Sequence, residues 1–501
     1  MMTSMYSSTV DALRQGHYAE AEQLAAALVR QEPLDGQGWV LLGEALQQQG
    51  FGLAARRVFD RAWLLDPEAA WVTRVHAALQ QVPDGSPRGD VDALLQVEPV
   101  TVAAVIIAGN EERCIARCLR SLQGAVDEIV VIDSSSDGTA AIAESFPLVR
   151  LIRAEWQDDF ARQRNVALAH VQSDWILMID ADEELVSDDV SYVRHIAGLF
   201  HATELPAVLH VWHLHQQGQQ IRHDFSQTRL FPNRRGLEYR GRIHEQLAVA
   251  GQGLYEQATL RRIVRLRLRH DGYDPAVLRG KQTIERNLRL LAKQVAEEPD
   301  NPGAWLFYGR ETMAAGRLEE AIRHLRKAEE AALQQPRFGR LLEVYRLLAQ
   351  LAWRLGQGQK RLDEAAGYCL KALELQPDYP DARYMLAQIR LKQAEQLVQE
   401  AGRELKQAKE SFRTYRGTVS PDYTILDGKA DALLGDLMRQ CGKLSEAREL
   451  YRGVRGRFPQ LEGLGARIAF IDRQQQKLNE SHQSAPQGAA QAVSKPTANG
   501  E

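Results

Sequence analysis

The spacing of apolar residues changes twice along this chain of 501 residues. Near both ends it follows the helical period, as in "WVLLGEALQQQG" (39–50), where apolar side chains recur every three or four positions. In the middle it becomes continuous, as in "TVAAVIIAG" (101–109), which is typical of a strand that is buried on both faces. The pattern therefore predicts an α/β domain between two all-α segments.

Short apolar runs alternate with helical patterns in the middle of the chain. The runs predict four strands, at 101–109, 127–133, 149–156 and 174–180, and helices at 137–146 and 160–171. Strands that alternate with helices at this spacing predict a Rossmann-like, mostly parallel sheet. Ligands of such sheets bind outside the carboxyl ends of the strands, so the residues at those ends are candidates for function.

Small and helix-ending residues recur in the flanking segments. Gly16, Ala21 and Pro33 return as Gly50, Ala55 and Pro67, each 34 residues later (67 − 33 = 34). This period and these residue types resemble the tetratricopeptide (TPR) repeat, a pair of antiparallel helices. The same pattern returns in "NPGAWLFYGRETMAAGRLEEAIRHLRKA" (301–328) and again from Gly435 to Pro459.

These patterns divide the chain into five predicted segments. "QVPDGSPRGDVD" (81–92) has the composition of a domain boundary, and the end of the chain lacks apolar periodicity. We predict TPR-like repeats at 1–80, a linker at 81–99, the α/β domain at 100–275, a second TPR-like segment at 276–473 and a disordered tail at 474–501.

Composition narrows the class of protein. A net charge of −4 and a pI near 6.4 give no indication of a nucleic-acid or membrane-surface partner. The start, "MMTSMYSSTVDALRQGHYAEAEQ", has no signal-peptide pattern, and no apolar run is long enough to span a membrane. The four cysteines lack zinc or disulfide spacing, so we expect reduced, buried thiols. These features predict a cytoplasmic protein, which would reach the inner face of a membrane only through partners.

Polar residues follow each of the predicted strands. Asp180 and Asp182 end the fourth strand, and two carboxylates this close repel each other unless a cation lies beside them. Mg²⁺ or Mn²⁺ shared with substrate phosphates suits such oxygen ligands. We expect Glu183 and Glu184 in the first turn of a helix, where the helix dipole favours acidic residues. Glycine fingerprints of dinucleotide-binding proteins and P-loop ATPases are absent from the sequence.

Residues 101–185 resemble the nucleotide-binding half of a family 2 glycosyltransferase with the GT-A fold. Four motifs carry the resemblance in family order: "NEE" (110–112), "DEIVVIDSSSDGTAAIA" (127–143), "WQDDFARQRNVAL" (156–168) and "DWILMIDADEEL" (174–185). The subgroup with TPR repeats on the same chain includes transferases that modify cell-surface glycans and others that glycosylate proteins or peptides. The resemblance implies an inverting, metal-dependent transferase that uses a nucleotide-diphosphate sugar, most often a UDP-sugar.

The resemblance also implies roles for individual residues. Six would hold the nucleotide sugar, with Asp133 on the base and Asp180 towards the ribose: Asn110, Glu111, Asp133, Arg164, Asn165 and Asp180. Asp182 would ligate Mn²⁺ or Mg²⁺ on the diphosphate. A simple turn cap for Asp133 and a surface position for Arg164 stay open as alternatives.

The acceptor half, "QTRLFPNRRGLEYRGRIHEQL" (227–247), resembles the second signature of the same subgroup. Glu245 is the candidate base for the acceptor proton, and a salt bridge to Arg240 or Arg242 is its alternative role. His270, which ends the basic strand "RRIVRLRLRH" (261–270), is the candidate histidine ligand of the metal, with His244 as the second choice. Five arginines, at 229, 234, 235, 240 and 242, would raise the potential near a diphosphate or form an exposed basic edge.

Two other functions remain possible at this point. The first is a TPR scaffold whose GT-A domain is catalytically silent, since "SSS" (134–136) replaces the more usual threonine–glycine–serine. The second is a nucleotidyltransferase, which normally has a glycine-rich loop with a basic residue after the first strand. "AGNEERC" (108–114) supplies that loop poorly, so we favour the transferase, with TPR repeats that bind a protein, peptide or glycan acceptor or a protein partner.

Overall fold

The predicted α/β domain is present in the computed structural model, which describes residues 2–217, 220–256, 258–270, 283–356 and 358–483. Its strands are β1 (Val102–Ala108), β2 (Glu128–Asp133), β3 (Val149–Arg153), β4 (Trp175–Met178), β5 (Glu183–Leu185), β6 (Ala207–Gln217), β7 (Gln220–Asp224), β8 (Thr228–Pro232), β9 (Leu237–Arg240), β10 (Gln246–Val249) and β11 (Leu260–His270). All four strands predicted from continuous apolar runs are confirmed, and so is the basic strand that ends at His270.

The sheet order brings the ends of several strands to one edge. Within the described residues, nine strands form one mixed sheet in the order β3-β2-β1-β4-β8-β6-β11-β5, with β7 paired to β6. Strands β1 to β4 pair in parallel, and β8 joins β4 to β6 by antiparallel pairing. The carboxyl ends of β1, β2 and β4 therefore lie side by side, as the fold prediction requires.

The helices fall into three groups along the chain. The N-terminal group is α1 (Met2–Arg14), α2 (Tyr18–Gln31), α3 (Gly36–Gln48), α4 (Gly52–Leu65), α5 (Val72–Leu79) and α6 (Gly89–Leu95). The α/β domain contains α7 (Ile115–Ser121), α8 (Thr139–Glu144), α9 (Phe160–Leu168) and α10 (Tyr192–Leu199). The C-terminal group is α11 (Thr283–Glu297), α12 (Pro302–Ala314), α13 (Leu318–Leu333), α14 (Leu341–Leu355), α15 (Gln359–Leu375), α16 (Pro380–Ser411), α17 (Lys429–Gln440), α18 (Leu444–Arg457) and α19 (Leu464–Gln483).

The predicted repeats are helix pairs that meet at glycine. A Cβ atom on Gly43 would lie 2.8 Å from the Phe59 ring, so α3 and α4 approach closely only because that position lacks a side chain. A Cβ atom on Gly435 would likewise lie 2.4 Å from Tyr451, between α17 and α18. Larger side chains at these positions would push the helices apart.

Three predicted features need correction. Glu183 and Glu184 belong to strand β5, which pairs antiparallel with β11, because the Glu183 carboxylate is buried against cationic partners and not exposed at a helix end. The predicted linker contains α6, whose apolar residues pack into the core of the N-terminal helices. The predicted tail is helical from 474 to 483, within α19, and its remainder lies outside the described residues.

The compact units differ from the predicted segments. Unit one comprises Met1–Val344 and therefore includes α11 to α13 together with the α/β domain, and unit two comprises Tyr345–Glu501. Three cysteines are buried and reduced as predicted, but Cys441 is exposed. In the described part of the chain, no helix combines the length and the hydropathy that crossing a membrane requires.

Candidate active site

A cavity of about 1250 Å³ lies at the carboxyl ends of β1, β2 and β4. Seven of the predicted site residues line it: Asn110, Glu111, Arg164, Asp180, Asp182, Glu245 and His270. Two predicted site residues, Asp133 and Asn165, do not line it. The structure thus brings most of the predicted site into one cavity, although these residues come from distant parts of the chain.

Asn110 is held in a special backbone conformation at the end of β1. Its φ is +61°, in the left-handed region, which asparagine tolerates better than most residues. Its backbone N–H donates to Ser135 Oγ at 2.8 Å, and the Ser136 N–H donates to Asn110 Oδ1 at 2.8 Å. The unusual serines of the 134–136 stretch therefore order the loop that presents Asn110 to the cavity.

Asp133 ends β2 just below the cavity surface. Its side chain is 1% exposed, and it accepts hydrogen bonds from the Ser135 backbone N–H at 3.2 Å and from Arg153 Nη1 at 3.3 Å. The turn cap that the sequence left open as an alternative is thus present. Its neighbours Ile132 and Ser134 line the cavity in its place.

Asp180 lies between two guanidinium groups. Arg229 Nη2 donates to Asp180 Oδ2 at 2.5 Å, and Arg164 Nη2 donates to Oδ1 at 3.1 Å. Burial alone would raise the pKa of Asp180, but Arg229 and Arg164 hold that pKa well below its ordinary value. Asp180 therefore stays ionised, and its charge is neutralised by the protein itself.

Arg229 also neutralises a second, fully buried carboxylate. Its Nη2 donates to Glu183 Oε1 at 2.8 Å, and His213 Nε2 lies 3.0 Å from the same oxygen. Glu183 Oε2 in turn accepts from the backbone N–H of Asp180 at 2.9 Å. Although burial favours the neutral acid, Arg229 and His213 lower the pKa of Glu183. Arg229 and Glu183 thus fix the position of Asp180 from two sides.

Glu245 faces the same cavity and is held by Arg164. Arg164 Nε donates to Glu245 Oε1 at 2.6 Å, and both side chains are nearly buried. The alternative partners proposed from the sequence are wrong, because Arg240 pairs with Glu238 and Arg242 pairs with Glu297. Those two arginines lie on or beside β9, where carboxylates closer than Glu245 are within reach.

Asp182 and His270 form the pair that could hold a metal ion. Asp182 Oδ1 lies 3.5 Å from His270 Nε2, and His215 Nδ1 lies 3.2 Å from His270 Nδ1. Burial lowers the pKa of His270, but the carboxylates of Asp182 and its neighbours outweigh this effect and raise it overall. His244 points elsewhere: it stacks on Phe307 at 4.4 Å and lies 3.4 Å from Glu311.

The Asp182–His270 pair fits a divalent cation that is shared with a substrate. Two ligand atoms about 2.1 Å from an octahedral ion at right angles lie about 3 Å apart, which is close to the observed spacing. No group of three or more His, Cys, Asp or Glu residues suited to a metal occurs in the described ranges. If the Asp182–His270 pair held such an ion, phosphate oxygens and water would supply its other ligands.

Asn165 has a different position from the one implied by the motif. Its Nδ2 donates to the Tyr239 carbonyl at 2.8 Å, and its Oδ1 accepts from the Tyr239 N–H at 2.8 Å. These two bonds tie helix α9 to strand β9. Tyr239 itself lines the cavity, and the Arg164 guanidinium lies 5.5 Å from the centre of its ring. Asn165 thus supports the cavity wall from behind.

The C-terminal helices α11 and α12 form part of the cavity wall. Ile243 packs with Leu290, Leu291 and Phe307 in one apolar cluster, which fixes the loop just before Glu245. Arg286, Asn287, Phe307, Arg310 and Arg340 of this segment line the cavity. The sequence analysis placed these residues in a separate TPR segment, so their part in the site was missed.

Glu183 and His213 were also missed as residues of the site. Arg229 was named only as one of five arginines that would raise the potential near a diphosphate or form an exposed edge. It lies in β8 and is only 3% exposed. The other four arginines that were considered together with it do not line the cavity.

Models of known families match three parts of the chain. Residues 103–248 match the model of glycosyl transferase family 2, and residues 10–70 and 285–351 match two tetratricopeptide repeat models. The match at 285–351 contains α12 and all but the first two residues of α11, and residues of both helices line the cavity.

Several curated proteins are similar to part of the chain. The SPbeta prophage-derived glycosyltransferase SunS of Bacillus subtilis is 30% identical over 231 residues, which is 46% of this chain and 53% of that protein. A TPR repeat-containing protein of Synechococcus elongatus is 30% identical over 278 residues, or 54% of this chain and 66% of that protein. The chain thus spans about half the length of the first of these relatives.

Solved structures show weaker similarity. The S. aureus TarS 1-349 structure in complex with UDP-GlcNAc is 13% identical, covers 56% of this chain and 93% of that chain, and has a TM-score of 0.33. A similarity of that size carries no argument about this molecule.

Proposed function

We propose that this chain, which carries a glycosyl transferase family 2 domain between tetratricopeptide repeats, transfers a sugar from a nucleotide-diphosphate donor to an acceptor, with inversion at the anomeric carbon. One observation carries the proposal: a single cavity contains the Asp182–His270 pair and the arginine-held Glu245. The Asp182–His270 pair suits a metal-bound diphosphate, and Glu245 suits a base.

The donor end of the proposed site is the Asp182–His270 pair. A Mn²⁺ or Mg²⁺ ion held there would act as a Lewis acid that stabilises negative charge on the departing diphosphate. Asp180 would take the ribose side of the donor, with its carboxylate fixed by Arg229 and Arg164. The motifs of residues 101–185 resemble those of transferases that most often use a UDP-sugar, so a UDP-sugar is the first donor to test.

The acceptor end is Glu245. In the proposed step, the acceptor nucleophile attacks the anomeric carbon on the face opposite the diphosphate. The bond to the diphosphate oxygen breaks, and its electron pair leaves with the nucleotide. The acceptor proton passes to Glu245, whose orientation is set by the hydrogen bond from Arg164 Nε.

The test is calorimetric titration of the full chain with UDP, GDP and dTDP, with and without Mn²⁺. We expect metal-dependent binding of one nucleotide, UDP first, and loss of the metal dependence in Asp182→Asn and His270→Gln. Asp188→Asn is the matched control, because Asp188 is exposed and lies outside the cavity lining. Absence of nucleotide binding by the wild type in every condition would contradict the proposal and favour a TPR scaffold.

A further inference from the structure

One wall of the cavity carries more arginines than carboxylates. Arg286 on α11, Arg310 on α12 and Arg340 just before α14 all line the cavity, and all three are solvent-accessible. Glu343 pairs with both Arg310, at 3.4 Å, and Arg340, at 2.7 Å. Two of the three guanidinium groups therefore share one carboxylate.

Arg286 has no carboxylate partner among the residues that the structure describes. In the described ranges, its guanidinium donates side-chain hydrogen bonds only to the side-chain oxygen of Asn287, at 3.2 and 3.4 Å. Burial lowers the pKa of Arg286, whereas the carboxylates of Glu311, Glu111 and Glu245 raise it from farther away.

Aromatic rings hold these guanidinium groups in place. Arg286 Cζ lies 5.2 Å from the centre of the Phe160 ring, and Arg340 Cζ and Arg310 Cζ lie 4.8 and 5.6 Å from the centre of the Phe307 ring. A guanidinium stacked on a ring keeps its in-plane N–H groups available for two parallel hydrogen bonds to a carboxylate. The stacking thus orients the arginines before any ligand arrives.

The same contacts disfavour a sugar ring as the occupant. Sugar-binding platforms present an open aromatic face, but the Phe307 ring is already covered by the stacked ring of His244 as well as by two arginines. Phe160 is covered by Arg286 and contacts Trp156 edge to face at 4.7 Å. The wall therefore offers charge and N–H donors, which suit carboxylate side chains.

The position of this wall assigns it to the acceptor. Phe160 precedes Arg164 by about one turn of α9, so the Arg286–Phe160 pair lies beside the arginine that holds Glu245. Asp180, on the donor side, contacts the same Arg164 through Nη2 instead of Nε. The wall is also built by helices of the tetratricopeptide segment, a fold that binds extended peptides on its surface.

We infer that Arg286, supported by Arg310 and Arg340, binds acidic side chains of a polypeptide acceptor next to its modified residue. This inference rests on the proposed glycosyl transfer, since it names the acceptor class of that site. It predicts that acceptors carry Asp or Glu near the attachment point.

The test measures, by fluorescence polarisation, the affinity of the full chain for a fluorescein-labelled polyglutamate peptide. UDP and Mn²⁺ are present throughout. We expect Arg286→Gln to weaken binding about tenfold, the effect of losing a charge-assisted hydrogen-bonded pair, and Arg286→Lys to restore part of it. Arg323→Gln is the matched control, because Arg323 is exposed on α13 outside the cavity lining. The peptide affinity of Arg323→Gln should equal that of the wild type.

Calorimetric UDP binding of each variant separates the possible outcomes. If Arg286→Gln no longer binds UDP, Arg340→Gln is used for the peptide-binding test instead. We expect its peptide affinity to be about threefold weaker than that of the wild type, because Glu343 already pairs with Arg340. Unchanged peptide affinity in a variant that still binds UDP overturns the inference but leaves the proposed function standing. Binding of an oligogalacturonate in preference to polyglutamate also overturns it, in favour of an acidic glycan. Failure of the wild type to bind any nucleotide would remove both proposals.

Discussion

Arg164 and Glu245 lie 81 residues apart in the chain, yet a 2.6 Å hydrogen bond joins Nε of one to Oε1 of the other. The bond fixes the carboxylate by one oxygen. The second oxygen, Oε2, has no hydrogen-bond partner within the described part of the chain. A carboxylate held in this way has a defined orientation and one oxygen available for a proton, as the base that we propose requires.

Glu245→Gln is the direct test of this role. Glutamine has nearly the same shape and can still accept from Arg164 Nε, but it cannot take a proton from the acceptor. We expect kcat to fall by about 10²–10⁴-fold, the usual contribution of a general base, with UDP affinity unchanged. The measurement is release of UDP, the nucleotide that we expect the titrations to select, from a UDP-sugar donor. Glu238→Gln, which alters another arginine-paired carboxylate, should leave turnover within about twofold, as expected for an exposed pair.

The Asp182–His270 pair is an example of site residues that could be predicted from the sequence. Asp182 was predicted from its place after a continuous apolar run, and His270 from its place at the end of a basic strand. The rule that strand ends gather at one edge of a sheet placed Asp182 near a ligand. The metal-binding roles of both residues came from the resemblance to family 2 glycosyltransferases. The structure places the two residues 3.5 Å apart.

The pairing of side chains between distant elements was not predictable in the same way. Arg229 reaches Asp180 only because β8 inserts beside β4, and the apolar period of a strand does not encode its neighbours in the sheet. The position of α11 against the cavity depends on packing of Ile243 and Leu290, which the repeat pattern does not contain. Sequence periodicity therefore predicted the elements and the strand-end residues, but not the charge partners or the part of the cavity wall that α11 and α12 form.

Arg229→Gln should destabilise the fold. The substitution leaves the carboxylates of Asp180 and Glu183 without their shared cation, and removal of one partner from a buried ion pair costs about 3–5 kcal/mol. Urea unfolding at neutral pH measures the decrease in the free energy of unfolding. Arg162→Gln, which changes an exposed arginine on α9, should stay within about 0.5 kcal/mol of the wild type. A loss in Arg229→Gln no larger than in this control would show that other groups compensate the two carboxylates.

Asn165→Ala separates a structural role from a nucleotide-binding one. The substitution removes both hydrogen bonds to the Tyr239 backbone and should lower the free energy of unfolding by about 1–3 kcal/mol. UDP affinity at a temperature where the variant is folded should stay within about twofold, since Asn165 does not line the cavity. Normal stability together with lost UDP affinity would instead support the role that the family motif implied.

His195 provides a stability change with a defined pH window. Arg61 on α4 places its Nη2 2.7 Å from His195 Nε2 on α10, so the N-terminal helices contact the α/β domain through this pair. Arg61 is a permanent donor, and Nε2 must therefore be unprotonated to accept. Burial, Arg61 and Arg57 together lower the pKa of His195 to about 4.

The sign of the effect follows from proton binding in the two states. Between about pH 6.5 and pH 4 the unfolded chain protonates His195 while the folded chain does not, so acidification favours unfolding. Because part of the His195 ring is exposed to solvent, the expected effect is reduced. We expect the free energy of unfolding to fall by about 1–2 kcal/mol between pH 6.5 and pH 4. Carboxylates with lowered pKa, such as Asp180 and Asp90, lose their contribution only below about pH 4. The destabilisation due to His195 therefore occurs at higher pH than the destabilisation due to these carboxylates.

Urea unfolding of the wild type and His195→Gln at several pH values from 7 to 4 tests this argument. The variant should have lower stability at pH 7, because it loses the contact with Arg61, but a flatter decline towards pH 4, because it no longer titrates there. His17→Gln is the matched control, since His17 is exposed on the same group of helices, and its decline should parallel that of the wild type. An equally steep decline in His195→Gln would mean that another group titrates in this window and that the Arg61–His195 contact does not control the acid stability of the domain pair.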